Sequence, residues 1–268
     1  MDIYLQTAIS AAREAGQILL RRKHMRHEIR HKADFDFVTE MDELSETTIR
    51  GILTEAFPTH RIMGEEEVSS SGRDEAELLA ELGDDDYLWV IDALDGTTNY
   101  IRGLPQFCVS IAMVHNRQLQ IGVVYDPVAD EMFSAQRGRG AWLNDAGIRV
   151  SEVADPAHAI FGMGFPAAEL DKRRDTMAKL SRIDMDFVSM RVYNCAALLL
   201  CYVACGRLDM SFEMGIHLWD MAGGALLVQE AGGTITRCDG SPFDLFARDN
   251  MASNGRFHAA ICDKMRAR

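Results

Sequence analysis

The segment Trp89-Val90-Ile91-Asp92-Ala93-Leu94-Asp95-Gly96-Thr97-Thr98-Asn99 constrains this chain more than any other. The run from Tyr87 to Asp92 is apolar and reads as a buried strand. Asp92 ends that strand, and Asp95 follows three residues later. Two carboxylates at the tip of a buried strand repel each other unless a cation sits between them. Gly96-Thr97-Thr98 adds a turn with free amides and hydroxyls, and a helix starting there would attract a phosphate to its N-terminus. One loop thus has the means to hold a metal on its acids and a phosphate on its amides. A strand-end Asp followed by a helix cap accounts for the same residues without any ligand.

Other acids stand in comparable places. Ile62-Met63-Gly64-Glu65-Glu66-Glu67 sets carboxylates after an apolar pair, and Val38-Thr39-Glu40-Met41-Asp42 puts Asp42 at a predicted helix start. Leu218-Trp219-Asp220-Met221-Ala222 puts Asp220 at the head of an apolar helix, where capping is the simpler reading of that residue alone. Hard oxygen donors without a His/Cys cluster suit Mg²⁺ rather than Zn²⁺. The formal net charge of -13 argues against a nucleic-acid partner, whose phosphates it repels. A phosphorylated substrate stays compatible, because bound cations invert the sign locally.

The 268 residues are 47% hydrophobic, enough for a large core in one domain or two small ones. Met1 to Leu20 reads as an amphipathic helix and not as a secretory signal. The longest apolar run, Cys195 to Cys205, is well short of the roughly 20 residues of a membrane span. The cytoplasm is therefore the expected compartment. Six cysteines without a CxxC pair read as reduced core thiols, with Cys195 a special case. The basic run Arg21 to Lys32 is expected to be a solvated helix end, with His24, His27 and His31 on one helical face. Contact with a polyanion is the less favoured use of it.

A second helix is predicted over Asp42 to Ala56, and Ser69 to Arg73 reads as an exposed loop. Strands are predicted over Phe107–Val114, Leu119–Tyr125 and Glu131–Ala135. A second half begins near Val150, with strand-like pieces at Ala159–Met163, Leu208–Phe212, Thr234–Thr236 and His258–Ile261. Helical pieces in that half are Ala196–Ala204 and Trp219–Glu230. The mixture suggests layered sheets and helices, α+β or α/β.

Four segments in order resemble the inositol monophosphatase family: Asp36 to Asp42, Gly64-Glu65-Glu66, Trp89 to Asn99, and Trp219-Asp220-Met221-Ala222-Gly223-Gly224 closed by Glu230-Ala231-Gly232-Gly233. The resemblance covers nearly the whole chain. It implies an α/β layered sandwich (αβαβα). The N-terminal α+β half, residues 1–149, would carry most metal ligands. The C-terminal α/β half, residues 150–268, would carry Asp220 and substrate-binding residues. By the same resemblance two or three Mg²⁺ ions are held by Glu65, Asp92, the Leu94 carbonyl, Asp95 and Asp220. Thr97, Asp42 and Glu65 would activate a water. Asp95, Gly96, Thr97, Asn194, Cys195, Ala196, Glu213 and Asp220 would contact the substrate. The implied activity is hydrolysis of a small phosphate monoester, with myo-inositol 1-phosphate as the default. Fructose 1,6-bisphosphate, histidinol phosphate and a 3'-phosphonucleotide are alternatives, as is a regulatory protein-binding role, and a homodimer is expected. Two departures stand out: Ala93 replaces the family's usual Pro, and Asn194-Cys195 replaces Gly followed by Ser or Thr.

Overall fold

Capping signals and apolar periodicity decide where the elements begin. The computed structural model describes residues 2–33, 36–166 and 170–266. The Asp2 side chain accepts from the Tyr4 amide and starts α1 (Ile3–Arg22), whose stripe of Leu5, Ala8, Ala12, Ala15 and Leu19 is buried. A hairpin of β1 (Ile29–Ala33) and β2 (Asp36–Thr39) follows, and Thr39 caps α2 (Glu40–Ala56). Next come β3 (Arg61–Gly64), α3 (Glu65–Ser71), α4 (Glu75–Ala80), β4 (Tyr87–Asp95) and α5 (Thr97–Ile101). Strands β5 (Cys108–His115), β6 (Gln118–Asp126), β7 (Glu131–Gln136), β8 (Gly140–Leu143) and β9 (Ala146–Gly147) complete a seven-stranded sheet in chain order. Its β3 runs parallel to β4 and the remaining pairs are antiparallel.

The rest of the chain forms β10 (Ile160–Met163), α6 (Leu170–Leu180), β11 (Ser189–Val192), α7 (Ala196–Ala204), β12 (Met210–Met214), α8 (Leu218–Glu230), β13 (Thr234–Thr236), β14 (Asp249–Ser253) and α9 (His258–Arg266). Its five strands are ordered β11-β10-β12-β14-β13. Side-chain alternation splits the large sheet between two cores. Trp89, Ile91, Ile111 and Val123 pack on α1 and α2, while Val90, Ala112, Val124 and Phe133 pack on α7 and α8. The same two helices cover one face of the small sheet through Ile235 and Ala252, and Leu180, Ile261 and Met265 of α6 and α9 cover the other. The layers are α-β-α-β-α. Among the described residues no helix is long and apolar enough to cross a membrane.

Several local expectations are corrected. Ser69 to Ser71 close α3 rather than forming a loop, and the turn begins at Gly72. His258 starts helix α9, where His258, Ile261, Cys262 and Met265 bury one face at helical spacing. The strand of that region is Asp249–Ser253, paired on both sides with β12 and β13. The three histidines of the basic run share no face: α1 ends at Arg22, His24 lies in the following turn, and His31 lies in β1. His27 instead meets Glu40 Oε1 at 2.9 Å.

Helix α8 approaches β6 unusually closely. A Cβ on Gly122 would lie 2.5 Å from the Gly223 carbonyl, and one on Gly223 would lie 3.0 Å from Ser110 Oγ. Both positions need glycine for space. Gly122→Ala is therefore expected to lower stability by about 1–3 kcal/mol through forced separation of α8 from the sheet. Urea unfolding checks this, and an unchanged midpoint would mean the helix backs away freely.

Candidate metal centre

On a regular strand an odd offset turns two side chains to opposite faces. Asp92 and Asp95 escape this rule. Asp92 pairs with Ser110 and Asp95 with Cys108, so three steps along β4 match two along β5. The extra residue makes a β-bulge that re-aims the strand end. The Leu94 amide donates to Asp92 Oδ1 at 3.0 Å, and Ser45 Oγ donates to the Ala93 carbonyl at 2.9 Å. Both carboxylates consequently line one cavity of ~520 Å³.

Gly96 turns the chain after the bulge at φ 91°, and a Cβ there would meet the Gln106 carbonyl at 2.6 Å. Only glycine suits both demands. Thr97 follows as the first residue of α5, and its Oγ1 lies 3.0 Å from Asp42 Oδ1 and 3.1 Å from the Leu94 carbonyl. Asp42 Oδ2 is held by the Thr39 amide at 2.8 Å and by Thr39 Oγ1 at 2.7 Å. On α8, Asp220 Oδ2 accepts from the His217 amide at 2.6 Å. Asp42 and Asp220 thus fill equivalent places, the third residue of a helix, each bonded back to the capping residue. Glu65 is the first residue of α3. Helix N-termini favour the negative charge of all three.

Glu65, Asp92 and Asp220 each offer an oxygen within 4.8 Å of the others. Asp95 lies beside this triad, its Oδ2 accepting from the Ala197 amide at 2.7 Å. At about 5 Å and an effective dielectric constant of about 20, each pair of charges costs roughly 3 kcal/mol. A helix N-terminus returns about 0.3–1 kcal/mol, so repulsion wins. The carboxyls respond accordingly. Burial, then the charges of Glu65, Asp95 and Asp220, pushes Asp92 well above the usual carboxylate range. Burial and Glu65 push Asp220 to about 8, and burial pushes Asp95 to about 6. Burial also raises Asp42 to about 6, against the pull of its Thr39 hydrogen bonds. An all-oxygen set under this repulsion fits a hard divalent cation such as Mg²⁺.

The remaining predicted residues divide. Gly96, Thr97, Asn194, Ala196 and Glu213 line the cavity with the acids. Glu213 is buried, and burial followed by the Asp95 and Asp220 charges pushes its carboxyl well upward. Asn194 sits at φ 51°, the left-handed region, and its Oδ1 accepts from the Phe165 amide at 3.2 Å. Cys195 is corrected: its side chain does not line the cavity but turns inward, with Sγ 3.3 Å from Asp95 Oδ2. The cause is its place as the residue capping α7, whose first turn packs into the core.

Three residues at the site escaped the sequence reading. Glu75 Oε1 accepts from the Leu218 amide at 2.7 Å, and its Oε2 meets His217 Nδ1 at 2.7 Å, so α4 holds the start of the helix that carries Asp220. Asn99 Nδ2 donates at 2.7 Å to the carbonyls of Gln106 and Tyr193, tying the α5 loop to the loop that bears Asn194. Arg248 Nε donates to the Ile216 carbonyl at 2.7 Å on the cavity wall. The only signal for Glu75 was its position at a helix start; its partner is 142 residues away.

Comparison with known proteins agrees with this geometry. The model for the inositol monophosphatase family matches residues 1–268, and the chain belongs to that family. Inositol monophosphatase 2 of Solanum lycopersicum is 38% identical over 99% of this chain and 98% of its own. The Nus factor SuhB of Pseudomonas aeruginosa is 42% identical over 90% of this chain and 88% of its own. Among solved structures, the extragenic suppressor protein suhB of Bartonella henselae superposes with a TM-score of 0.88 at 29% identity, covering 99% of both chains. The IMPase of Thermotoga maritima gives 0.85 at 32% identity, covering 98% of this chain and 96% of that one.

The raised carboxyl pKa values carry a sign for stability. Without metal, the folded chain keeps protons on Asp92, Asp95 and Asp220 that the unfolded chain has released. Their contribution is present at low pH and lost as pH rises through the folded values. The melting temperature in chelator should fall between about pH 5.5 and about pH 8, and Mg²⁺ should raise it more at the upper end. Equal Mg²⁺ shifts at both ends would contradict this account.

Proposed function

From that family membership, we propose that the chain is a Mg²⁺-dependent phosphatase acting on a small polyol or sugar phosphate, with myo-inositol 1-phosphate the default substrate. The observation that carries this reading is the convergence of Glu65, Asp92 and Asp220 beside Asp95 and the Gly96-Thr97 turn on one cavity. Glu65, Asp92, the Leu94 carbonyl, Asp95 and Asp220 would hold the Mg²⁺ ions. Bound there, the ions would neutralise phosphate charge, acidify a water and stabilise the departing alkoxide. The Gly96 and Thr97 amides would hold phosphate oxygens. Thr97 Oγ1 orients the attacking water and accepts its proton while passing its own to Asp42 Oδ1, 3.0 Å away. Burial suits Asp42 to that task by raising its proton affinity toward neutrality. Glu213 and Asn194 would meet hydroxyls of the leaving alcohol. A homodimer in the cytoplasm completes the proposal.

The alternative phosphate esters differ only in what meets the Asn194 wall. A second reading, a regulatory protein-binding role, is favoured by relatives that carry the Nus factor SuhB name. A regulator has no need of an intact carboxylate cluster, so a measured Mg²⁺-dependent turnover separates the two.

Phosphate release should vanish in chelator and return with Mg²⁺. Asp92→Asn should cost far more activity than Glu66→Gln, and Thr97→Ala should slow turnover about 100-fold with the fold intact. Wild-type kcat in Thr97→Ala would move the water-activating role elsewhere.

Specificity has its own test. Because Asn194 occupies left-handed backbone, Asn194→Gly is conformationally tolerated. It should raise kcat/KM for myo-inositol 1-phosphate by removing an amide from the wall, and leave a small generic ester nearly unchanged. Equal changes on both substrates would reject a specificity role for Asn194.

A further inference from the structure

Asp95 faces two thiols that none of the roles above employs. Its Oδ2 lies 3.3 Å from Cys195 Sγ and 3.8 Å from Cys108 Sγ, and the two sulfurs are 3.7 Å apart. Three separate elements deliver them: Asp95 ends β4, Cys108 starts β5 opposite it in register, and Cys195 precedes α7. All three are buried.

These spacings, which S–H hydrogen bonds also satisfy, fit a metal site. A tetrahedral ion with bonds of about 2.3 Å to sulfur and about 2.0 Å to oxygen separates two sulfurs by about 3.8 Å and sulfur from oxygen by about 3.5 Å. The three observed edges agree within about 0.3 Å of that figure. Two thiols with one carboxylate form a soft-leaning set, unlike the all-oxygen cluster next door. The route in is short, because Asn194 and Ala196, the neighbours of Cys195, line the open cavity. A disulfide would need an oxidant and closure of the sulfurs to about 2.05 Å, whereas a bridging ion needs little movement.

We propose that Cys108, Cys195 and Asp95 bind one thiophilic divalent cation of the zinc and cadmium class, and that this ion inhibits the chain by neutralising the Asp95 carboxylate that the neighbouring oxygen cluster also uses. On binding, two S–H bonds break, two sulfur–metal bonds form, and both protons leave to solvent without electron transfer. A cysteine thiol is mostly protonated at neutral pH, so the ion must displace those protons. The inhibitory half rests on the phosphatase reading; the binding half does not.

The test titrates reduced, full-length protein with Cd²⁺ in saturating Mg²⁺ and follows thiolate-to-cadmium ultraviolet absorbance. Wild type should saturate at one equivalent. Cys195→Ser and Cys108→Ala should each weaken that band at least about tenfold. If Cys108→Ala fails to fold by circular dichroism, Cys195→Ser, which exchanges only sulfur for oxygen, decides the matter. An undiminished band in Cys195→Ser overturns the site. Phosphate release is read on the same samples. Inhibition of wild type that excess Mg²⁺ does not relieve, with at least about tenfold more Cd²⁺ needed in Cys195→Ser, supports the inhibitory half. A band without inhibition overturns that half. A band in a chain inactive on every phosphate ester leaves the site standing and removes the phosphatase reading.

Discussion

Repulsion among Glu65, Asp92, Asp95 and Asp220 is the constraint around which the structure is organised. Within the triad of Glu65, Asp92 and Asp220, each pair at about 5 Å costs roughly 3 kcal/mol, more than local backbone dipoles return. A fold keeps such a cluster only by fixing each acid from a different element. Here Asp92 is held by a bulge amide, Asp95 by the first turn of α7, and Asp220 by the cap of α8. The protein stores the repulsion, and a hard cation is the partner that relieves it. The cluster is thereby a binding device and a source of pH-dependent instability at once.

Holding the acids in place falls to contacts remote in sequence. Helix α8 lies against β6 where Gly122 meets Gly223, which brings Asp220 toward the end of β4. Glu75 of α4 ties down the start of the same helix at the cavity wall. Asn99 joins the α5 turn to the loop that presents Asn194. The cavity therefore sits where the two sheets and their shared helix layer meet. A small shift of α8 would move Asp220 relative to Glu65, Asp92 and Asp95 together.

The neighbourhood of Asp95 joins two chemistries. One side of the residue belongs to the oxygen cluster, and its Oδ2 reaches the thiols of Cys108 and Cys195. Asn194 and Cys195, adjacent in the chain, part company: one faces the cavity and the other the core. Left-handed backbone at Asn194 produces this split, because it turns the chain sharply just before α7 begins.

Much of the fold and of the site was legible in the residues themselves. Apolar patterning located α1, α2, α7, α8 and half of the strands among the described residues, because burying one face imposes a period on any amphipathic element. The acids Asp92, Asp95, Glu65 and Asp220 stood out because carboxylates are costly beside apolar runs. The strand Asp249–Ser253 was hidden, since its polar Asn250 and Ser253 are nonetheless buried, and no local pattern reports a partner strand. The same limit applies at the site. Spacing alone sets Asp92 and Asp95 on opposite faces, and only the bulge against β5 brings them together. Likewise the bond from Glu75 of α4 to the start of α8, the inward turn of Cys195 and its approach to Cys108 depend on contacts across 87 to 143 residues. Sequence carries the chemistry of each group and its local period; which groups meet is decided by the packing of distant elements, because distance through space is not encoded in any local window.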